Sequence, residues 1–185
     1  MRYFTADWHF GHSNIIDYTG RPHASVDNMD NHFVREMNKG LSSDDEIWCL
    51  GDLCGPRTRV DNLRARLSEI PCEIHWIKGN HDPDPEVVSD LADFHGQRVE
   101  IRTDEKKQDG HDLRLVLDHY PLYSWNARYH GSIHLHGHVH GQIDNYGIRR
   151  GDVGVDTDGW DMAYSGISQR DVVDKLTKIS APKHQ

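Results

Sequence analysis

The chain has 185 residues, 36% of them hydrophobic, with 30 acidic against 21 basic side chains and a formal charge of −9. That length suits a single domain over residues 1–185, and no apolar run approaches the ~20 residues of a membrane span. The acidic balance argues against a broad basic face for long nucleic acid.

Tyr3-Phe4-Thr5-Ala6 reads as a first strand entering a loop at Asp7. The opening Met-Arg-Tyr-Phe-Thr-Ala-Asp lacks an apolar signal core, and the three cysteines (Cys49, Cys54, Cys72) form no C-x-x-C pair. Both point to a cytoplasmic location. Val26, Met29, Phe33, Val34 and Met37 recur at helical spacing and predict a helix over Val26–Lys39, stopped by Gly40. Glu46–Leu50 reads as a short buried strand ending at Gly51-Asp52, and Val60–Leu67 as a helix. Glu73–Ile77 is a strand ending at Gly79-Asn80-His81-Asp82. Arg98–Arg102 and Leu113–Leu117 suggest a hairpin around a polar loop, followed by strands at Ser132–Leu135 and Asp152–Val155. Ser168–Ile179 closes as a helix capped by Ser168. Short strands alternating with helices make the expected fold class α/β.

Fifteen histidines stand out in an acidic chain. Several gather with aspartates in five clusters: Asp7-Trp8-His9, Gly51-Asp52, Gly79-Asn80-His81-Asp82, Asp118-His119 and Gly137-His138-Val139-His140. Singly, each reads as a turn, a cap or a strand end. Together they offer carboxylate, imidazole and one amide, a donor set for borderline divalent ions, with no thiolate for a structural zinc site. Four of the five follow apolar segments directly, which brings them to one sheet edge, where α/β folds place their chemistry. The donors outnumber what one tetrahedral ion needs, so two ions are expected.

The ordered series D-x-H, G-D, G-N-H-D, H and G-H-x-H, running from Asp7 to His140, resembles the signature of the calcineurin-like metallophosphoesterase superfamily. Asp7-Trp8-His9-Phe10-Gly11-His12, Asn14-Ile15-Ile16, Arg21-Pro22 and the late Gly154-Val155-Asp156 look like its small bacterial and phage members. The resemblance implies a four-layer αββα sandwich of two mixed sheets. It gives Asp7, His9 and His140 to one metal, Asn80, His119 and His138 to a second, and Asp52 to both. Manganese is favoured over iron, zinc, cobalt or nickel. His81 would protonate the leaving oxygen after in-line attack by a metal-bridging hydroxide, with Asp82 orienting it.

His12, Asn14, Tyr18 and Arg21, on the loop after Asp7, are candidates to contact substrate, and Arg21 suits a bidentate grip on phosphate. Arg21, Arg57, Arg59 and Arg128 are the basic residues that would admit a short oligonucleotide. His134 and His136 read as packed or supporting residues. Trp48 and Trp76 read as core. Trp125 and Tyr129 suit either a stacking surface or a hydrophobic brace. The expected activity is hydrolysis of a nucleotide or cyclic-nucleotide phosphodiester, a small-molecule substrate. The alternatives are a phosphomonoesterase or protein phosphatase of the same fold, or a non-catalytic scaffold.

Overall fold

The structure, a computed structural model, describes residues 1–106, 112–143, 147–158 and 163–182. Its regular elements are β1 (Arg2–Thr5), α1 (Ser13–Thr19), α2 (Val26–Gly40), β2 (Glu46–Cys49), α3 (Val60–Ser68), β3 (Glu73–Trp76), β4 (Asp93–Phe94), β5 (Arg98–Lys106), β6 (Asp112–Asp118), β7 (Ile133–His136), β8 (Arg150–Asp152), β9 (Ile167–Ser168) and α4 (Gln169–Leu176). They build an α/β architecture with two mixed sheets, ordered β4-β3-β2-β1-β9 and β5-β6-β7-β8. Strands β1 to β4 are parallel, and β9 joins antiparallel to β1. In the second sheet β5 and β6 are antiparallel, whereas β6, β7 and β8 run parallel. Among the described residues no helix is long and apolar enough to cross a membrane.

Alternation along β2 explains the packing. Ile47 and Cys49 join Met29, Phe33, Met37, Leu63 and Trp76 in one core, beneath α2 and α3. Trp48 and Leu50 point the other way, into a second core shared with Leu115, Leu117, Ile133 and Leu135 of the other sheet and with Val172 and Leu176 of α4. A strand buried on both faces carries a nearly unbroken apolar run, as β2 does after Glu46. Helix α2 begins at Ser25, whose hydroxyl accepts from the Asn28 amide at 3.2 Å. Ser168 caps α4 in the same way, accepting from the Asp171 amide at 3.1 Å.

Some elements differ from expectation. The last parallel strand lies at Arg150–Asp152 rather than Asp152–Val155, because Val153 and Val155 bond outside the ladder, to His136 and Ala6. Helix α1 and the two-residue strands β4 and β9 have too few residues to show a period. The tip of the predicted hairpin, residues 107–111, lies outside the described residues. The face of β7 bearing His134 is covered by the segment at 120–131, where the Trp125 ring packs at a tilt 5.3 Å from the His134 ring. The only regular piece of that segment among the described residues is the 3-10 turn Arg128–His130.

Candidate metal centre

The donors collect where the parallel strands end. After β1 the chain turns at Asp7, whose amide donates to the Gly51 carbonyl at 3.0 Å, and the His9 amide then donates to the Asp52 carbonyl at 2.9 Å. The first two loops are therefore laced together through main chain. Six non-glycine residues among those described have positive φ, and five are site residues: Asp7 (59°), His9 (53°), Asp52 (57°), His138 (70°) and His140 (49°). Left-handed backbone is disfavoured for side chains with a Cβ, and its concentration at one locus makes that locus a candidate functional site. Small neighbours make the turns possible. A Cβ on Gly137 would stand 2.6 Å from Asp7 Oδ2, and one on Gly79 would overlap Asp52 Oδ1.

Two convergent groups result, Asp7–His9–His140 and Asp7–Asp52–His119, with the donor atoms of each within 4.8 Å of one another. Asp52 Oδ2 lies 3.6 Å from both His9 Nε2 and His119 Nε2. His119 Nδ1 donates to the Leu50 carbonyl at 2.8 Å, so Nε2 presents its lone pair to the Asn80 carboxamide oxygen at 3.1 Å. His119 Nε2 therefore lies close to two oxygen acceptors, Asn80 Oδ1 and Asp52 Oδ2. His140 has Nδ1 2.6 Å from Asp156 Oδ2, which turns its Nε2 free. His9 Nε2 is buried without a hydrogen-bond partner. The donor chemistry and this orphaned nitrogen fit divalent cations of the borderline class.

Electrostatics agree. Burial, with Arg21 and the His140, His12 and His81 rings, drives the His9 pKa down to about 2, so it offers a neutral lone pair. Asp7 is raised well above the usual carboxylate range, by burial first and then by Asp152 and Asp52, against two hydrogen bonds from the His138 amide. A site that crowds buried carboxylates in this way is one a cation relieves.

His138 is brought beside the second group, its ring 5.0 Å from His119 and 4.6 Å from Tyr120, without joining either convergent set. Asp7 belongs to both groups rather than to one. The half-buried His81 stands 5.4 Å ring to ring from His9 and 6.0 Å from His12, and its backbone amide donates to Asp52 Oδ1 at 2.9 Å. These rings open onto a cavity of about 610 Å³, lined also by Asn14, Tyr18, Arg57, His140 and Gln142.

Two expected roles are corrected. Arg21 does not reach the cavity: it is 6% exposed, clamps Asp156 through two bonds of 2.7 Å and donates to the Asp7 and Trp8 carbonyls. Its guanidinium is used up beneath the site, so it is unavailable to substrate phosphate. Asp82 does not orient His81, because its carboxylate accepts from the Asp52, Leu53 and Gly79 amides, each at 2.7 Å. It ties the second and third loops together. Burial lifts its pKa to about 7 against those three donors.

His134 is packed, bonding the Val116 carbonyl at 2.9 Å and accepting from the Leu122 amide at 3.0 Å. Trp125 is a brace whose indole donates to Ser132 Oγ at 3.0 Å. Cys54 is buried and its thiol is pushed up to about 12, by burial and then by Asp82 and Asp52, which makes it inert. Sequence reasoning missed Asp156 and Asp152. The Gly-Val-Asp turn was the available signal for Asp156. Asp152 accepts from the Gly141 and Gly154 amides, both at 2.8 Å, and shapes the loops beside His140.

No protein-family model matches the chain. It is 29% identical over 145 residues to an uncharacterized protein of Methanocaldococcus jannaschii, covering 78% of this chain and 72% of that one. It is 24% identical to the gene 66 protein of Mycobacterium phage L5, with 94% of each chain covered. A solved structure of a protein of unknown function from Aquifex aeolicus shares the fold, with a TM-score of 0.71 and 24% identity, over 95% of this chain and 98% of that one.

Proposed function

We propose that the chain is a dinuclear, metal-dependent phosphodiesterase of the calcineurin-like metallophosphoesterase superfamily, acting on nucleotide or cyclic-nucleotide diesters. On this reading the two sheets and their helices are that superfamily's αββα sandwich. One observation carries it: a single carboxylate oxygen, Asp52 Oδ2, stands 3.6 Å from an imidazole nitrogen of each of two donor groups. Asp7, His9 and His140 would hold one ion and Asn80, His119 and His138 the other, with Asp52 between. When bound, two divalent cations, manganese foremost, supply Lewis acidity toward phosphoryl oxygens and acidify water.

The chain's own residues do the rest. Asp156 and the Leu50 carbonyl fix the ring orientation of His140 and His119. His81, at the cavity wall, delivers a proton to the departing oxygen. Arg57, which lines the same cavity, takes the phosphate-facing place that Arg21 leaves vacant.

The test is hydrolysis of bis-p-nitrophenyl phosphate by chelated protein after Mn²⁺ is restored. Activity should return with the metal, and His81→Ala should lower turnover roughly 10²–10⁴-fold while two manganese ions per chain persist by elemental analysis. Failure with every divalent ion tried overturns the reading. Faster cleavage of p-nitrophenyl phosphate would reassign the enzyme to monoesters.

A further inference from the structure

A separate cluster lies at the opposite, amino-terminal edge of the first sheet. Glu46 opens β2 and Glu73 opens β3, directly paired across the ladder, and His75 follows Glu73 by two residues on the same face. His75 Nε2 sits 3.5 Å from Glu46 Oε2 and 3.6 Å from Glu73 Oε1.

These separations decide between two accounts. A charge-assisted hydrogen bond from an imidazolium would close to about 2.7–2.9 Å. Ligands held 2.0–2.1 Å from a tetrahedral zinc ion stand about 3.4 Å apart. The observed spacing is that of co-ligands. His75 is 9% exposed, and its Nε2 is buried with no hydrogen-bond partner, aimed between the two carboxylates. All three donor atoms lie within 4.8 Å of one another.

The surroundings are built to hold that arrangement. His75 Nδ1 is engaged by His95 Nε2 at 3.0 Å, so the ring's second nitrogen is held, as it is in metal-binding histidines, here by an imidazole. Trp48 stacks on the His75 ring at 4.6 Å and packs at a tilt against the His95 ring at 4.6 Å, which restrains both. Arg2 Nε bonds Glu46 Oε1 and leaves Oε2 facing His75. A cavity of about 500 Å³ beside Glu46 and Glu73 gives an entry path.

We propose that Glu46, Glu73 and His75 form a mononuclear zinc site, distinct from the centre at the carboxyl ends of the strands. One imidazole and two carboxylates, without thiolate, are a borderline-ion donor set. The fourth position faces the cavity and takes water. The ion would pin together the amino ends of two adjacent strands.

The experiment counts zinc per chain by elemental mass spectrometry, in full-length protein stripped with chelator, re-equilibrated with Zn²⁺ and desalted. His75→Gln should bind one zinc fewer than the unsubstituted chain. The same loss should appear when His75→Gln is added to Asp52→Asn, so the result is independent of the other centre. Equal counts with and without His75 overturn the proposal. Anomalous diffraction at the zinc edge from zinc-soaked crystals of the unsubstituted protein guards against a misfolded variant: a peak among the three side chains is expected, and its absence overturns the site.

Discussion

Arg21 shows how a residue can shape a site it does not line. It is sunk under the first loop, holds Asp156 through both carboxylate oxygens, and Asp156 in turn holds His140. Removing one member of a buried ion pair strands the other charge, at about 3–5 kcal/mol. Arg21→Ala should therefore lower stability by about that amount in urea unfolding, and lower metal retention with it. Unchanged unfolding would mean that the clamp is redundant. Burial is the largest influence on Asp156 and raises its pKa, but hydrogen bonds from Arg21 and His140 outweigh it and hold the group at about 2. A depressed carboxyl contributes stability above its unfolded value near 3.9, and that contribution fades as pH falls from about 4 to about 2. In Arg21→Ala the acid-unfolding midpoint should move to higher pH.

At the scale of elements, α2 is the buttress of the first donor loop. Phe33 lies edge-on to Phe10 at 6.3 Å and receives the Arg21 guanidinium over its face at 5.4 Å. Phe33→Ala removes this wedge and should cost about 3–5 kcal/mol by urea denaturation. A cost below about 1 kcal/mol would mean that the loop is held by its main-chain bonds alone. This helix was legible in the sequence because five apolar residues repeat at its period, and the donor loops were legible because strand runs end abruptly in Gly, Asp and His. Helix α1 was not, since seven residues with one fully buried side chain carry almost no pattern. The work of Arg21 and Asp82 was equally hidden: their partners are main-chain groups and residues far along the chain, which no local spacing encodes. His138 sat within a legible motif, yet its ring stands beside His119 rather than in a convergent set.

For the whole molecule, the formal charge of −9 is partly concentrated where Asp7, Asp52 and Asp152 are buried at 0%, 2% and 4% exposure. In the metal-free chain Asp7 is raised in pKa by burial first and then by those neighbours. A raised carboxyl contributes stability below its unfolded value near 3.9 and loses it as pH climbs. Cation binding strengthens over the same climb as protons leave the ligands. Chelation should therefore lower the melting temperature, and the gap between loaded and chelated protein should widen from pH 5 to pH 8. A site filled at 100 times its Kd adds about 2.7 kcal/mol, which for a domain of this size is several degrees. Identical melting with and without chelator would show that no native-state cation is held.

The left-handed donors bear on how such a chain could drift. At each of those five positions glycine would ease the backbone, yet erase a side chain that the proposed centre needs and, at Asp7, Asp52 and His140, a bond that ties the loops together. On the proposed function, a lineage released from catalysis would be free to relax these bends, so glycine at such positions in a relative would point to loss of the centre.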